Sequence, residues 1–188
     1  LCVRVPQGHC VSVLGLPYSD GFYRLVCLDQ PRSKVIGSAR PNLDIVPGDK
    51  HTEKVKRYIT LSDFREAILA EQLQRSSYEV ILLDMAPSLD VLHINGLVAS
   101  DWVLVPTRLD ALAVDGVKEI LLTMGEVSNR GHHFSGYCIL PTFFDRTTRE
   151  TLVQLQELVN AFGSRVWPPI PQETRGSESA DKGKTQWE

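Results

Sequence analysis

Hydrophobic positions along the chain form unbroken runs of strand length, separated by segments with helical spacing. The most β-rich run covers residues 78–83 and ends at Asp84, and two others cover 101–106 and 136–141. Shorter candidate strands lie at 1–5, 43–46 and 165–170. Runs without polar interruption are typical of strands that are covered on both faces, as in a parallel sheet.

Helical periodicity appears between these runs. Apolar residues recur at helical spacing over 62–75, 113–128 and 148–162, which predicts three helices. Thr60 with Asp63, and the Thr147–Glu150 segment, have the composition of capping boxes, and Gly163 is a typical helix stop. The strand–helix–strand order predicts an α/β protein with a doubly wound, mostly parallel sheet.

Composition narrows the class of protein. The chain has 188 residues, of which 43% are hydrophobic and 23% charged, which fits one globular domain over 1–176 followed by a polar tail at 177–188. Its net charge of -3 excludes a globally basic nucleic-acid binder but leaves room for a local basic patch. No apolar run approaches the roughly 20 residues of a membrane span.

Cysteine spacing argues against a zinc site or a disulfide framework. The four cysteines are scattered and contain no C-x-x-C pair. We expect them to be free, buried thiols in a reducing cytosol.

The candidate chemistry lies at the carboxyl end of the first long run. Four apolar residues followed by Asp84 form the pattern of a Walker B strand, whose carboxylate holds Mg²⁺ beside a nucleotide phosphate. On its own the pattern is equally compatible with an aspartate that caps the next turn.

The residues around Asp84 resemble a known signature. Residues 78–89 read YEVILLDMAPSL, which is similar to the YD-hhhh-D-x-P-P-S-L signature of ParA-type partition ATPases. The resemblance continues in order through 93–101, 105–106 with 112–116, 141–147 and 170–184, and upstream through Pro6-Gln7-Gly8-His9. It therefore extends over nearly the whole chain.

The resemblance implies a deviant-Walker P-loop NTPase fold that uses ATP and Mg²⁺. It carries the metal role over to Asp84 and implies DNA contact by Arg146 and Arg175. It assigns no catalytic residue. The positions that it places at the nucleotide are Gln7, Gly8, Pro87, Thr142, Pro171 and Gln172.

Partners and location follow from the same resemblance. Partition ATPases form an ATP-dependent homodimer that binds DNA without sequence preference and responds to a ParB-like centromere-binding protein. The resemblance thus implies a cytoplasmic, nucleoid-associated protein that partitions a chromosome or a plasmid. The tail has no apolar face, so we expect no membrane partner of the kind used by the division-site branch of the family.

The departures from the family pattern are specific. The chain contains no KGG-x-GKT loop, and Val3 and Val5 stand where the family has aspartates. Gln172 and Glu173 replace Arg-Asn, and Ala86 replaces a proline. We therefore expect an N-terminally truncated fragment that does not hydrolyse ATP as it stands, because phosphoryl transfer depends on positioning by that loop.

Two other interpretations stay open at this point. One is a degenerate nucleotide switch that regulates or binds a partner without turnover, which Val3 and Val5 favour. The other is a phospho-acceptor receiver domain, since Asp84 ends one strand and Thr107 the next. The receiver interpretation is the weaker of the two, because Leu140 and Pro141 occupy the place of its lysine.

Overall fold

The strands of the protein belong to two compact units. The computed structural model describes the backbone of residues 2–4 and residues 14–85, 88 and 90–172 in full. One unit contains the described residues up to Ala99, and the other begins at Ser100. Each unit has its own sheet and its own buried core.

The first unit is built on a four-stranded sheet in the order β2-β3-β1-β4. Strand β1 pairs in parallel with both β3 and β4, whereas β2 runs antiparallel to β3. Its elements are β1 (Cys2–Arg4), α1 (Gly21–Cys27), β2 (Gly37–Arg40), β3 (Leu43–Val46), α2 (Thr52–Leu61), α3 (Ile68–Gln74), β4 (Leu82–Asp84) and α4 (Val91–Val98), with a 3-10 turn at Arg32–Lys34.

Side chains from all four helices and from β3 form the core of the first unit. Phe22 of α1, Ile59 of α2, Leu69 of α3 and Leu92 of α4 are almost completely buried and belong to one cluster with Val46. Burial of each such side chain contributes about 1.5–3 kcal/mol. The helices are therefore held mainly by their apolar faces, which fixes where their ends lie relative to the sheet.

The second unit pairs two long parallel strands. Its elements are β5 (Trp102–Arg108), α5 (Ala113–Asn129), β6 (Gly136–Thr142) and α6 (Arg149–Phe162), followed by a 3-10 turn at Gly163–Arg165. The register runs without interruption from Trp102 beside Gly136 to Arg108 beside Thr142. A Cβ at Gly136 would lie 2.7 Å from the Trp102 ring, so a larger residue there would require the Trp102 side chain to move.

Its core joins both strands to both helices. Val105, Val117, Ile139 and Leu158 are buried together, with Leu158 and Ile139 fully excluded from solvent. Strand β5 alternates from Leu104 to Arg108, with Val105 and Thr107 buried and their neighbours exposed. The two carboxyl strand ends thus emerge side by side at one edge of the pair.

The structure confirms the α/β class with parallel strands. The predicted helices at 113–128 and 148–162 correspond to α5 and α6, and Gly163 ends α6 with a φ of 57°. The predicted strand at 165–170 is wrong, because this segment makes only isolated bridges, such as Val166 with Ile139.

The predicted helix at 62–75 is partly wrong. Only Ile68–Gln74 is helical there, and a separate helix precedes it at Thr52–Leu61. The proposed Thr60–Asp63 capping box does not form, because Thr60 lies inside α2 and its hydroxyl donates to the Lys56 carbonyl. Phe64 adopts a φ of 50° in the turn between the helices, which interrupts the helical path.

None of the helices in the described parts of the chain has both the length and the apolar composition needed to cross a bilayer.

Candidate functional site

The carboxyl end of β4 carries the candidate metal ligand. Asp84 is the last residue of this strand, is half-buried, and lies opposite Arg4 in the parallel register with β1. The strand is shorter than the sequence predicted, because it begins at Leu82 rather than near Tyr78. The structure places Asp84 at a strand end, as predicted, whereas Pro87 lies outside the described residues.

Asp90 lies at the start of α4 and accepts several hydrogen bonds. The Asp90 side chain accepts hydrogen bonds from the backbone N–H groups of Leu92 and His93 at 3.0 and 3.2 Å, so it caps α4. The Ser88 hydroxyl and the Lys56 ammonium each donate to its second oxygen at 2.9 Å. Burial alone would raise the pKa of the Asp90 carboxyl, but these donors outweigh burial and hold the pKa below its ordinary value.

Asn95 anchors the same helix from its buried side, and sequence analysis missed it. Its side chain is completely buried. Its oxygen accepts from Leu69 N–H at 3.1 Å, and its amide group donates to the carbonyls of Arg65 and Val91 at 2.8 and 2.9 Å. An asparagine within an apolar helical stripe is the signal that could have identified it, since buried polar groups require partners.

In the second unit, Thr142 joins the two strand ends. Its hydroxyl donates to the Thr107 carbonyl at 3.2 Å, across the end of the β5–β6 pair. Thr107 itself is almost fully buried and donates to the Val105 carbonyl at 3.3 Å. Thr142 is therefore held at the edge where ligands bind in parallel α/β sheets.

The Ile170–Gln172 segment lies beside this edge. Ile170 N–H donates to the Pro141 carbonyl at 2.8 Å, and Phe144 N–H donates to the Ile170 carbonyl at 3.0 Å. Gln172 N–H then donates to the Phe144 carbonyl at 3.0 Å, and Pro171 pairs with Phe144. The backbone thus brings together three of the residues that the resemblance placed at a nucleotide, namely Thr142, Pro171 and Gln172.

An aromatic ring and a cation meet at the same edge. The sequence placed Arg108 at a strand end but did not indicate its contact with Phe143. The Arg108 guanidinium carbon lies 5.0 Å from the centre of the Phe143 ring. Phe143 has a φ of 56° and remains 52% exposed. Both residues directly end or follow a strand, and that position is the signal that could have identified them.

Asp145 fixes the turn that follows. Its carboxylate accepts from the Thr147 hydroxyl at 2.7 Å, from Thr147 N–H at 2.9 Å and from the Thr148 hydroxyl at 2.9 Å. The bonds from Thr147, followed by that from Thr148, lower the pKa of the Asp145 carboxyl. The predicted capping box at Thr147–Glu150 is therefore wrong, because the Thr148 side chain makes no cap bond.

The predicted DNA-binding arginines are described only in part. Arg146 is exposed in the turn fixed by Asp145, directly before α6. The carboxylate beside it is engaged by threonine donors, so the turn holds Arg146 at the surface. Arg175 lies outside the described residues, as do Gln7 and Gly8.

The carboxylate of Asp84 is chemically suited to bind a magnesium ion. Mg²⁺ takes oxygen ligands and commonly uses one or two carboxylates together with water and phosphate oxygens. Within the described ranges, no group of three or more His, Cys, Asp and Glu side chains converges on one point. One carboxylate at a strand end suits a cation that arrives with a nucleotide.

Comparisons with known proteins identify the family. A family model described as an AAA domain matches residues 12–134. The chromosome-partitioning ATPase Soj of Thermus thermophilus is 32% identical over 96% of this chain and 71% of that protein. The chromosome partitioning protein ParA of Caulobacter vibrioides is 28% identical over 95% of this chain and 71% of its own length.

Solved structures show the same fold. Apo McdA of Cyanothece superimposes with a TM-score of 0.87 at 15% identity, covering 99% of this chain and 80% of that one. Cobyrinic acid a,c-diamide synthase of Mycobacterium smegmatis, solved with an ATP analogue and magnesium, gives a TM-score of 0.78 at 24% identity over 96% and 79%. The solved structures show the fold, and the family model and the sequence matches show that the chain belongs to the family of ParA/MinD-type ATPases.

Proposed function

We propose that the protein binds ATP with Mg²⁺ and acts in the partitioning of a chromosome or a plasmid. Its relatives include partition ATPases. The observation that carries the proposal is that Asp84 ends a parallel strand. The sequence resemblance gives this residue the role of the family's metal-side carboxylate. The ATP analogue and magnesium in a structure of the same fold support this ligand pair.

Different residues would bind the metal ion and contact the nucleotide. Asp84 would hold Mg²⁺, which when bound neutralises charge on the phosphates. The resemblance also assigns nucleotide contact to Thr142, Pro171 and Gln172, which backbone bonds at β6 hold together within the second unit. The half-exposed ring of Phe143, with Arg108 over it, offers an aromatic surface and a positive charge at that edge.

The cellular role that we propose is that of the family. The protein would form an ATP-dependent homodimer, associate with the nucleoid through non-specific DNA contacts by Arg146 and Arg175, and respond to a ParB-like protein. Contacts of arginines with phosphates carry no sequence information, which suits a protein that must bind anywhere on a chromosome.

The first measurement is the reading frame upstream of the Leu1 codon. A strand followed by KGG-x-GKT in frame would supply the phosphate-binding loop and support an active ATPase. A frame that closes without this loop would contradict ATP hydrolysis by this gene product.

Binding of a fluorescent ATP analogue, with and without Mg²⁺, tests the role of Asp84 in the protein that this frame encodes. We expect Asp84→Asn to weaken magnesium-dependent binding by roughly tenfold or more, equivalent to ~1.4 kcal/mol, and to abolish ATP-dependent dimerisation. Asp115→Asn is the matched control, because Asp115 is an exposed carboxylate of α5 paired with Lys118. Equal binding by the wild type and Asp84→Asn would contradict the proposal.

A nucleotide switch without turnover is the second candidate. Val3 and Val5 stand where the family carries aspartates, and this observation favours it. Phosphate release measured with DNA present separates the two functions. ATP-dependent dimerisation without phosphate release supports the switch, and sustained release contradicts it.

A further inference from the structure

Helix α2 presents two faces of opposite character. Thr52, Val55 and Ile59 are buried against the core. On the opposite side, Lys54, Arg57 and Leu61 follow one another at helical spacing and are exposed. Lys50, in the turn before the helix, is also exposed.

Large apolar side chains project at the end of this stripe. Leu61 is 87% exposed and Phe64 is 86% exposed, while Tyr58 beside them is 44% exposed. Phe64 has a φ of 50°, a backbone conformation that is unusual for a bulky residue. At such exposure the two side chains stand out from the surface and do not line a groove.

Positive charge accompanies these apolar side chains. Residues 50–66 contain five Lys and Arg against three Asp and Glu. Lys56 lies off the exposed stripe and binds both Glu53 and Asp90 at 2.9 Å, so it is already neutralised. Arg65 contacts Glu66 at 3.4 Å, and Asp63 is the acidic side chain next to Phe64. The exposed Lys50, Lys54 and Arg57 therefore keep a positive balance.

We propose that this surface, formed by Lys50, Lys54, Arg57, Tyr58, Leu61 and Phe64 and called here the α2 surface, binds an anionic lipid bilayer peripherally. Exposed cations beside exposed leucine and aromatic side chains, here on α2 and in the turns that flank it, are features of interfacial membrane binding. Lys and Arg would face lipid headgroups, while Leu61 and Phe64 would enter the boundary with the acyl chains.

A bilayer would interact with both the cations and the exposed apolar side chains of the α2 surface. Nucleic acid would use the cations, but a phosphate backbone offers nothing to the almost fully exposed Leu61. A protein partner would need a pocket for each projecting side chain, whereas a bilayer accepts them in any lateral position. Three cations and two inserted side chains support weak, reversible attachment, comparable with other single-signal anchors.

This surface is distinct from the polar tail. The expectation of no membrane partner came from the tail alone, and α2 is a separate element of the first unit. The proposal does not depend on nucleotide binding, so failure of the Asp84 test leaves it intact.

Co-sedimentation of the full chain with lipid vesicles tests the proposal. We expect binding to vesicles of equal parts phosphatidylcholine and phosphatidylglycerol, little binding to phosphatidylcholine alone, and loss of binding at high salt. Leu61→Ser with Phe64→Ser, and separately Lys54→Glu with Arg57→Glu, should each lower the bound fraction at least about fivefold. Circular dichroism checks that each variant is folded.

Leu122→Ser is the matched control. Leu122 is 71% exposed on α5, but Asp115, Glu119 and Glu126 share its helix face, so its replacement should leave binding unchanged. Equal sedimentation with both vesicle types would overturn the proposal. So would a result in which only the charge reversals matter and duplex DNA competes, because the α2 surface would then be a nucleic-acid site.

Discussion

Asp84, Asp90 and Asp145 differ in the groups that surround their carboxylates. Asp90 and Asp145 accept hydrogen bonds from neighbouring N–H and hydroxyl groups and thereby fix turns. Asp84 instead ends a parallel strand, where ligands of α/β sheets bind. The sequence pattern alone left open whether Asp84 binds a metal or caps a turn, and the metal role stays a prediction.

Asp90 provides a prediction at this scale. Its pKa lies below the ordinary value of 3.8, so its bonds to Lys56, Ser88 and the α4 N–H groups stabilise the ionised form. The stabilisation is fully present above the ordinary pKa and is lost as the pH falls through the lowered folded value. We expect Asp90→Ala to lower the free energy of unfolding by about 1–2 kcal/mol at neutral pH.

Urea unfolding at neutral and acidic pH measures this effect. The difference between wild type and Asp90→Ala should shrink once the pH falls below the folded pKa. Asp63→Ala, at an exposed turn position, is the control and should change stability little. A difference that is independent of pH would show that the charge of Asp90 has no part in it.

At the scale of elements, close packing decides whether a glycine in a helix can be replaced by a larger residue. Gly21 begins α1, and a Cβ there would lie 2.8 Å from the Val35 carbonyl oxygen and 3.0 Å from Pro47. Gly125 lies within α5, where a Cβ would have nothing within 4 Å. The first glycine is required by packing, whereas the second only lowers helix propensity.

Alanine substitutions at these two positions should have opposite effects. Gly21→Ala forces α1 away from backbone atoms, so we expect a loss of about 1–3 kcal/mol in the free energy of unfolding. Gly125→Ala should raise stability by about 0.5–1 kcal/mol, because alanine loses less conformational entropy in a helix. Thermal and urea unfolding measure the change in the free energy of unfolding for each variant. Changes of the same sign in the two variants would contradict the packing argument.

At the scale of the whole molecule, net charge limits how the protein can bind DNA. A chain of net charge -3 must rely on local groups of cations. Arg146 is exposed in the turn before α6, as a phosphate contact requires. DNA binding itself stays a prediction from the family.

Salt dependence of DNA binding tests these arginines. Replacing Arg146 and Arg175 by alanine should weaken duplex binding severalfold for any sequence and lower the slope of log K against log salt by about two. Arg130→Ala, which removes an exposed arginine at the end of α5, is the control. A loss confined to particular sequences would contradict a role in phosphate contact.

Local patterns of the sequence were sufficient for much of the fold. The apolar periodicity of α5 and α6 predicted both helices within a residue or so, because each helix must bury one continuous face. The run ending at Asp84 predicted a strand end in the right place, and the ordered motifs around it identified the family. These features depend only on neighbouring residues.

Long-range contacts decided the rest. Thr60 and Asp63 have the composition of a cap, yet Thr60 lies inside α2, which continues to Leu61, and the next helix begins only at Ile68. Pro171 and Gln172 lie beside Thr142 only because the returning chain hydrogen-bonds to Pro141 and Phe144. The sequence by itself thus determined the class of protein and singled out Asp84 as the predicted metal ligand. Only the tertiary structure decided which distant residues share an edge, since those pairings are made through space by backbone groups that residue types do not distinguish.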